Sequence, residues 1–201
     1  LHNENERLKK AKKPSNNGYP EFYEKLKNLK VSIIPLAKHG YFAKKIQVFN
    51  NSVGYASKEE GGNLIVREQW LENPMWRIMI LDDGSDEYSK ITEYLLAQKC
   101  VFIPYLGKND HPAKIENAKV VELGTPTDNF IDSLFIKDSA KLGAWAKEED
   151  EHPFLFQEVS PFSLQETHHF YEYKTALFTN YELNAMPNDV YKQGDKQYAF
   201  I

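Results

Sequence analysis

Two short segments of this 201-residue chain place cations, aromatic rings and amides close enough together to act on one ligand. The first runs from Gly40 to Tyr55 and interleaves Tyr41, Phe42, Phe49 and Tyr55 with Lys44, Lys45, Gln47, Asn50 and Asn51. That mixture suits RNA. Lysine binds phosphate, an aromatic ring stacks on a splayed base, and a side-chain amide reads a base edge. A polar hairpin with its aromatics packed underneath is the structural alternative. The second segment, Tyr105-Leu106-Gly107-Lys108-Asn109-Asp110-His111-Pro112-Ala113-Lys114-Ile115, follows an apolar run and opens with glycine into a basic loop. Such a loop can turn backbone N–H groups and cations toward phosphates. His111 as general base and Lys114 as electrostatic stabiliser would be the parts for RNA cleavage. A strand-to-loop turn carrying solvated charge is the alternative here.

Other chemistry has little support. The chain lacks G-x-S-x-G, H-E-x-x-H and Walker-type phosphate-loop patterns. Gly61-Gly62 is followed by strand-like residues rather than a helix, which argues against phosphate-loop chemistry. His168 and His169 are adjacent, so on a strand they point to opposite faces and do not share a metal. One cysteine, Cys100, excludes a disulfide framework or a zinc site built on two thiolates. No cofactor, metal or catalytic residue is expected.

The elements that would position the two segments follow from periodicity. A short helix is expected from Tyr19, with Phe22, Leu26 and Leu29 on one stripe. Val31–Leu36 reads as a buried strand. Residues 38–73 form a polar, glycine-broken excursion suited to a hairpin. Trp76–Leu81 is a second strand, and Ser85 is a natural N-cap for a helix over Asp86–Lys99. Cys100–Tyr105 reads as a third buried strand. This is the ferredoxin-like order β-α-β-β-α-β with its first strand missing and an insertion between the middle strands. Beyond it, strands are expected at Val120–Leu123, Phe130–Ile136, Phe154–Val159, Phe170–Phe178 and Gln197–Ile201. The chain divides accordingly into a polar tail (1–18), an α+β palm (19–115) and a β-rich C-terminal region (116–201).

Hydrophobic residues at 41% and charged residues at 27% fit a folded chain. A net charge of −4 alone argues against a nucleic-acid binder. That figure averages an acidic run at Glu148–Glu151 against basic loops at 38–45 and 108–119. No apolar run reaches bilayer-spanning length, and the start shows no signal-peptide pattern, so a cytoplasmic location is expected. The sequence opens on Leu1, in keeping with processing or a start inside a longer protein.

Tyr105–Ala113 resembles the Tyr-Leu-Gly-Lys-Asn loop of CRISPR-associated protein family five, type I-B subtype. Pro20–Leu26, Phe49–Ser57, Gly61–Val66 and Glu68–Pro74 are similar to that family in the same order, so the resemblance spans roughly Tyr19–Lys114. It implies a non-catalytic RNA-binding subunit of a Cascade complex in antiviral defence. A ferredoxin-like (RRM-like) palm would grip the 5′ handle of crRNA, and 38–73 would be an inserted thumb reaching toward the backbone subunit. The large subunit would dock alongside, and target DNA would be met only through the complex. Lys44, Lys45, Lys108 and Lys114 are the expected phosphate contacts. Phe49 or Tyr55 would stack, Asn50 or Asn109 would read base edges, and His111 would sit at the RNA. Family members open with a β-α unit that nothing before Tyr19 supplies. The sequence therefore also admits a truncated decoy that inhibits Cascade assembly, and, less prominently, a metal-independent pre-crRNA endoribonuclease.

Overall fold

Glu21–Leu26 forms a short helix, α1, held by Lys25–Glu21 and Lys27–Glu24 pairs one turn apart. The computed structural model describes residues 21–50, 58, 64–145, 152–165 and 170–201. The polar tail, the start expected at Tyr19, Tyr55, Gly61-Gly62, the run 148–151 and His168-His169 lie outside the described residues. Strand β1 (Val31–Pro35) pairs antiparallel with β4 (Trp76–Ile80), Ile33 opposite Ile78. Between them β2 (Lys44–Asn50) pairs antiparallel with β3 (Ile65–Leu71) as a hairpin. Helix α2 (Asp86–Leu96) begins where the Ser85 hydroxyl accepts the Tyr88 N–H at 3.0 Å. Asp86 and Glu87 then sit at the positive end of its dipole.

The expected strand at Cys100–Tyr105 does not form. Val101, Phe102 and Ile103 are each about three-quarters exposed, and the segment's one ladder contact is the bridge from Tyr105 to Pro112. Its apolar run has strand propensity, but a strand needs a neighbour to take its hydrogen bonds, and among the described residues no strand pairs with this segment. The β1–β4 sheet is accordingly two-stranded in the described residues, within an α+β chain of several small sheets.

The C-terminal region consists mainly of short strands, whose bounds differ from those expected. Val120–Leu123 is not a strand; beside it Gly124 makes an isolated bridge to Lys192. Of Phe130–Ile136, Phe135–Ile136 alone is strand (β5). β5 pairs with β8 (Tyr171–Thr179), which pairs with β7 (Leu155–Leu164). β6 (Lys141–Trp145) pairs with β9 (Tyr181–Ala185), and β10 (Val190–Gln193) with β11 (Lys196–Ala199). Ile131, Phe135, Leu177, Leu183, Val190 and Ala199 form its core.

This region does not stand apart from β1 and β4. Ile34, Tyr198 and Phe200 share a second core with Met79, Leu81, Leu123 and Tyr191 packed against it. Val31 and Ile201 exchange backbone hydrogen bonds of 3.1 and 2.9 Å, and Leu134 N–H donates to the Ile33 carbonyl. The hairpin base is seated by a 3-10 turn at Lys38–Gly40 that touches β7 and β8. Gly40 has φ +74°, and a Cβ there would come within 2.7 Å of the Phe178 ring. Only glycine meets both demands without strain.

Candidate nucleic-acid interface

Register decides which side chains of the hairpin meet. Lys45 faces Trp70, Gln47 faces Glu68 and Phe49 faces Val66, so these six share one face. Lys44, Ile46, Val48 and Asn50, with Ile65, Arg67, Gln69 and Leu71, share the other. The loop after Tyr105 closes over the first face. Its hydrogen bonds run from Leu106 N–H to the His111 carbonyl and from His111 N–H to the Lys108 carbonyl, with Gly107 at φ +81°.

The two segments are thereby brought together around Trp70. Lys108 Nζ lies 5.1 Å from the Trp70 ring centre and 5.0 Å from that of Phe49. Lys45 Nζ lies 5.9 Å from Trp70, and the His111 ring meets it edge-on at 4.5 Å. Glu68 Oε2 accepts from both Trp70 Nε1 at 2.8 Å and Lys108 Nζ at 2.5 Å. The Lys108 ammonium first, and the Trp70 N–H second, hold the Glu68 carboxyl below its ordinary value of 4.5. Each cation–ring contact at such a partly exposed position is worth about 0.5–1 kcal/mol. The ion pair adds little stability, because water and salt screen it, and its main effect is to fix where the Lys108 ammonium sits. His111 Nε2 is enclosed without a hydrogen-bond partner among the described residues.

Of the expected RNA contacts, Lys45, Phe49, Lys108 and His111 converge here. Lys44 and Asn50 do not, because they lie on the opposite hairpin face. Asn109 is exposed in the loop beside the cluster. Lys114 is exposed and paired with Glu116, which raises its pKa. Tyr55 lies outside the described residues. Carboxylates hold three of the four expected phosphate lysines: Lys108 on Glu68, Lys45 on Glu72 at 3.9 Å and Lys114 on Glu116. A phosphate would therefore have to compete with those carboxylates. His111 Nε2 is closed off, while Lys114 pairs at the surface with Glu116.

Trp70 and Glu68 organise the cluster, and neither was expected as a site residue. The available signal was their spacing: two apart on a strand means one shared face. No group of three or more possible metal ligands occurs among the described residues, and no described helix is long and apolar enough to cross a membrane.

No protein-family model, curated protein or solved structure matches the chain. The resemblance read from the sequence therefore needs correction: nothing in these comparisons links the chain to CRISPR, Cascade or crRNA.

Proposed function

We propose that this chain is a non-catalytic, RNA-binding structural subunit that grips single-stranded RNA at the face organised by Trp70. The observation that carries the reading is convergence. Two basic–aromatic segments far apart in sequence fold onto one hairpin face, with Lys45 and Lys108 beside Phe49 and Trp70. RNA binding uses this pairing of cations for phosphates with rings for bases. Glu68 sets the terms of binding. It holds Lys108 over the rings while the site is empty, and phosphate replaces it when RNA arrives.

The test is fluorescence anisotropy of a labelled single-stranded RNA across a salt series. Binding should weaken steeply with salt, and removing one phosphate contact by Lys108→Ala should shallow the log–log slope by about 0.7. Trp70→Ala should lose about 1–3 kcal/mol if a base stacks there. A flat salt response, or wild-type affinity in both variants, would reject the reading.

A further inference from the structure

Three cross-strand pairs follow one another along the Trp70 face of the hairpin: Lys45 with Trp70, Gln47 with Glu68, and Phe49 with Val66. The middle pair is polar and has a ring on each side. Trp70 lies two residues away on β3 and Phe49 two residues away on β2, each about 7 Å along its strand. Gln47 and Glu68 stand directly opposite, with Cβ atoms about 5 Å apart. Between the rings the chain already seats a group of defined chemistry. The Lys108 ammonium is 5.0 Å from the Phe49 ring centre and 5.1 Å from that of Trp70, and it donates to Glu68 Oε2. Trp70 Nε1 donates to the same oxygen, which leaves Oε1 to take a further donor. The gap thus holds an N–H donor flanked by aromatic rings and bound by a carboxylate.

We propose that this gap selects guanine, with Glu68 and Gln47 reading its Watson–Crick edge. The inference rests on the RNA-binding reading above, in which Lys108 leaves Glu68 for a phosphate as a base stacks at Trp70. The carboxylate then stands among phosphates and opposes binding unless the base brings it donors. Guanine presents O6, N1–H and N2–H2 in a row. Its two adjacent donors match the two oxygens of Glu68, and the exposed Gln47 amide donates to O6. Glu68 Oε2 can keep the Trp70 N–H as well, since each carboxylate oxygen accepts twice. Adenine, cytosine and uracil each offer the carboxylate at most one donor and set a lone pair beside it. Selection therefore comes as much from repulsion of the other bases as from attraction of guanine.

Anisotropy competition on the full chain tests this with short oligouridines whose central base is guanine, inosine, adenine, cytosine or uracil. The guanine oligomer should bind about tenfold more tightly than the adenine one, the size of one bidentate contact. Inosine, which lacks the N2 amino group, should fall about threefold below guanine. In Glu68→Gln the guanine preference should drop below about twofold, while the adenine oligomer binds at least as well as it does to the unaltered chain. Gln47→Leu should cost the guanine oligomer about threefold and leave the adenine one unchanged. Should Glu68→Gln loosen the hairpin, the inosine comparison still decides, because it leaves the protein untouched. Equal affinity for all the oligomers, or a guanine preference that survives Glu68→Gln, would overturn the guanine assignment and leave RNA binding standing. Failure of every oligomer to bind would overturn both.

Discussion

Gln197 and Glu68 are both polar side chains held by several neighbours, yet their surroundings give them different work. Gln197 is 2% exposed, and its amide is fully engaged. Its Oε1 accepts from the N–H groups of Thr127 and Asp128, while its Nε2 donates to the carbonyls of Asp128 and Phe130. That one side chain satisfies a loop with no ladder of its own, inside a core that also buries Tyr198 and Ala199. Glu68 instead holds Trp70 and Lys108 at a half-exposed hairpin face, where water and ligands compete for the same groups. Enclosed polar groups hold the chain together because losing a partner there exposes the full desolvation cost. Half-exposed ones exchange partners cheaply. Binding belongs to the second kind of region.

Gln197→Ala attacks the first region and should have the largest effect. Two N–H and two carbonyl groups lose their partner in a closed site, for a loss of about 3 kcal/mol. Thermal unfolding followed by circular dichroism should show a fall in Tm of roughly 6–12 °C. Gly40→Ala comes next, at about 2 kcal/mol, from the clash with Phe178 and the positive φ together. Because this glycine seats the hairpin on β7 and β8, its loss should also raise hydrogen exchange in β2 and β3. Trp70→Ala should lower global stability by only about 1 kcal/mol while removing most RNA affinity. If its Tm falls as far as that of Gln197→Ala, the aromatic cluster is a structural staple and the contrast between the regions collapses.

The same contrast explains what could be read from the sequence. The β2–β3 hairpin, the β1 and β4 strands and the Ser85 cap are local or near-local features, set by alternation, glycine breaks and a hydroxyl at the right place. Val101–Ile103 misled because an apolar run reports a preference for burial and carries no information about which neighbour will accept its hydrogen bonds. β6, β9 and β10 were missed for the opposite reason: Lys141–Trp145 and Val190–Gln193 have weak alternation and owe their extension to the strands they pair with. At the candidate site, both segments were legible from composition. Their meeting was not. It depends on the Lys45–Trp70 register and on the closure of a loop far along the chain, which also places a carboxylate where composition suggested free lysine.

Glu68 supplies the smallest and most discriminating effect. Its folded pKa is depressed by Lys108 and Trp70, so its contribution is complete above the unfolded value near 4.5 and disappears as pH falls through the lower folded value. Tryptophan fluorescence, with Trp70→Phe as the reference to remove Trp76 and Trp145, should therefore change at a midpoint below 4.5. Glu68→Gln should abolish that transition. The same variant frees the Lys108 charge, so at neutral pH it should tighten binding of guanine-free RNA by up to about fivefold, the loss of one competing surface ion pair. A purely structural Glu68 would behave differently: the hairpin face would loosen and affinity would stay level or fall. The direction of that single change separates a carboxylate that positions a lysine for exchange from one that only ties two loops together.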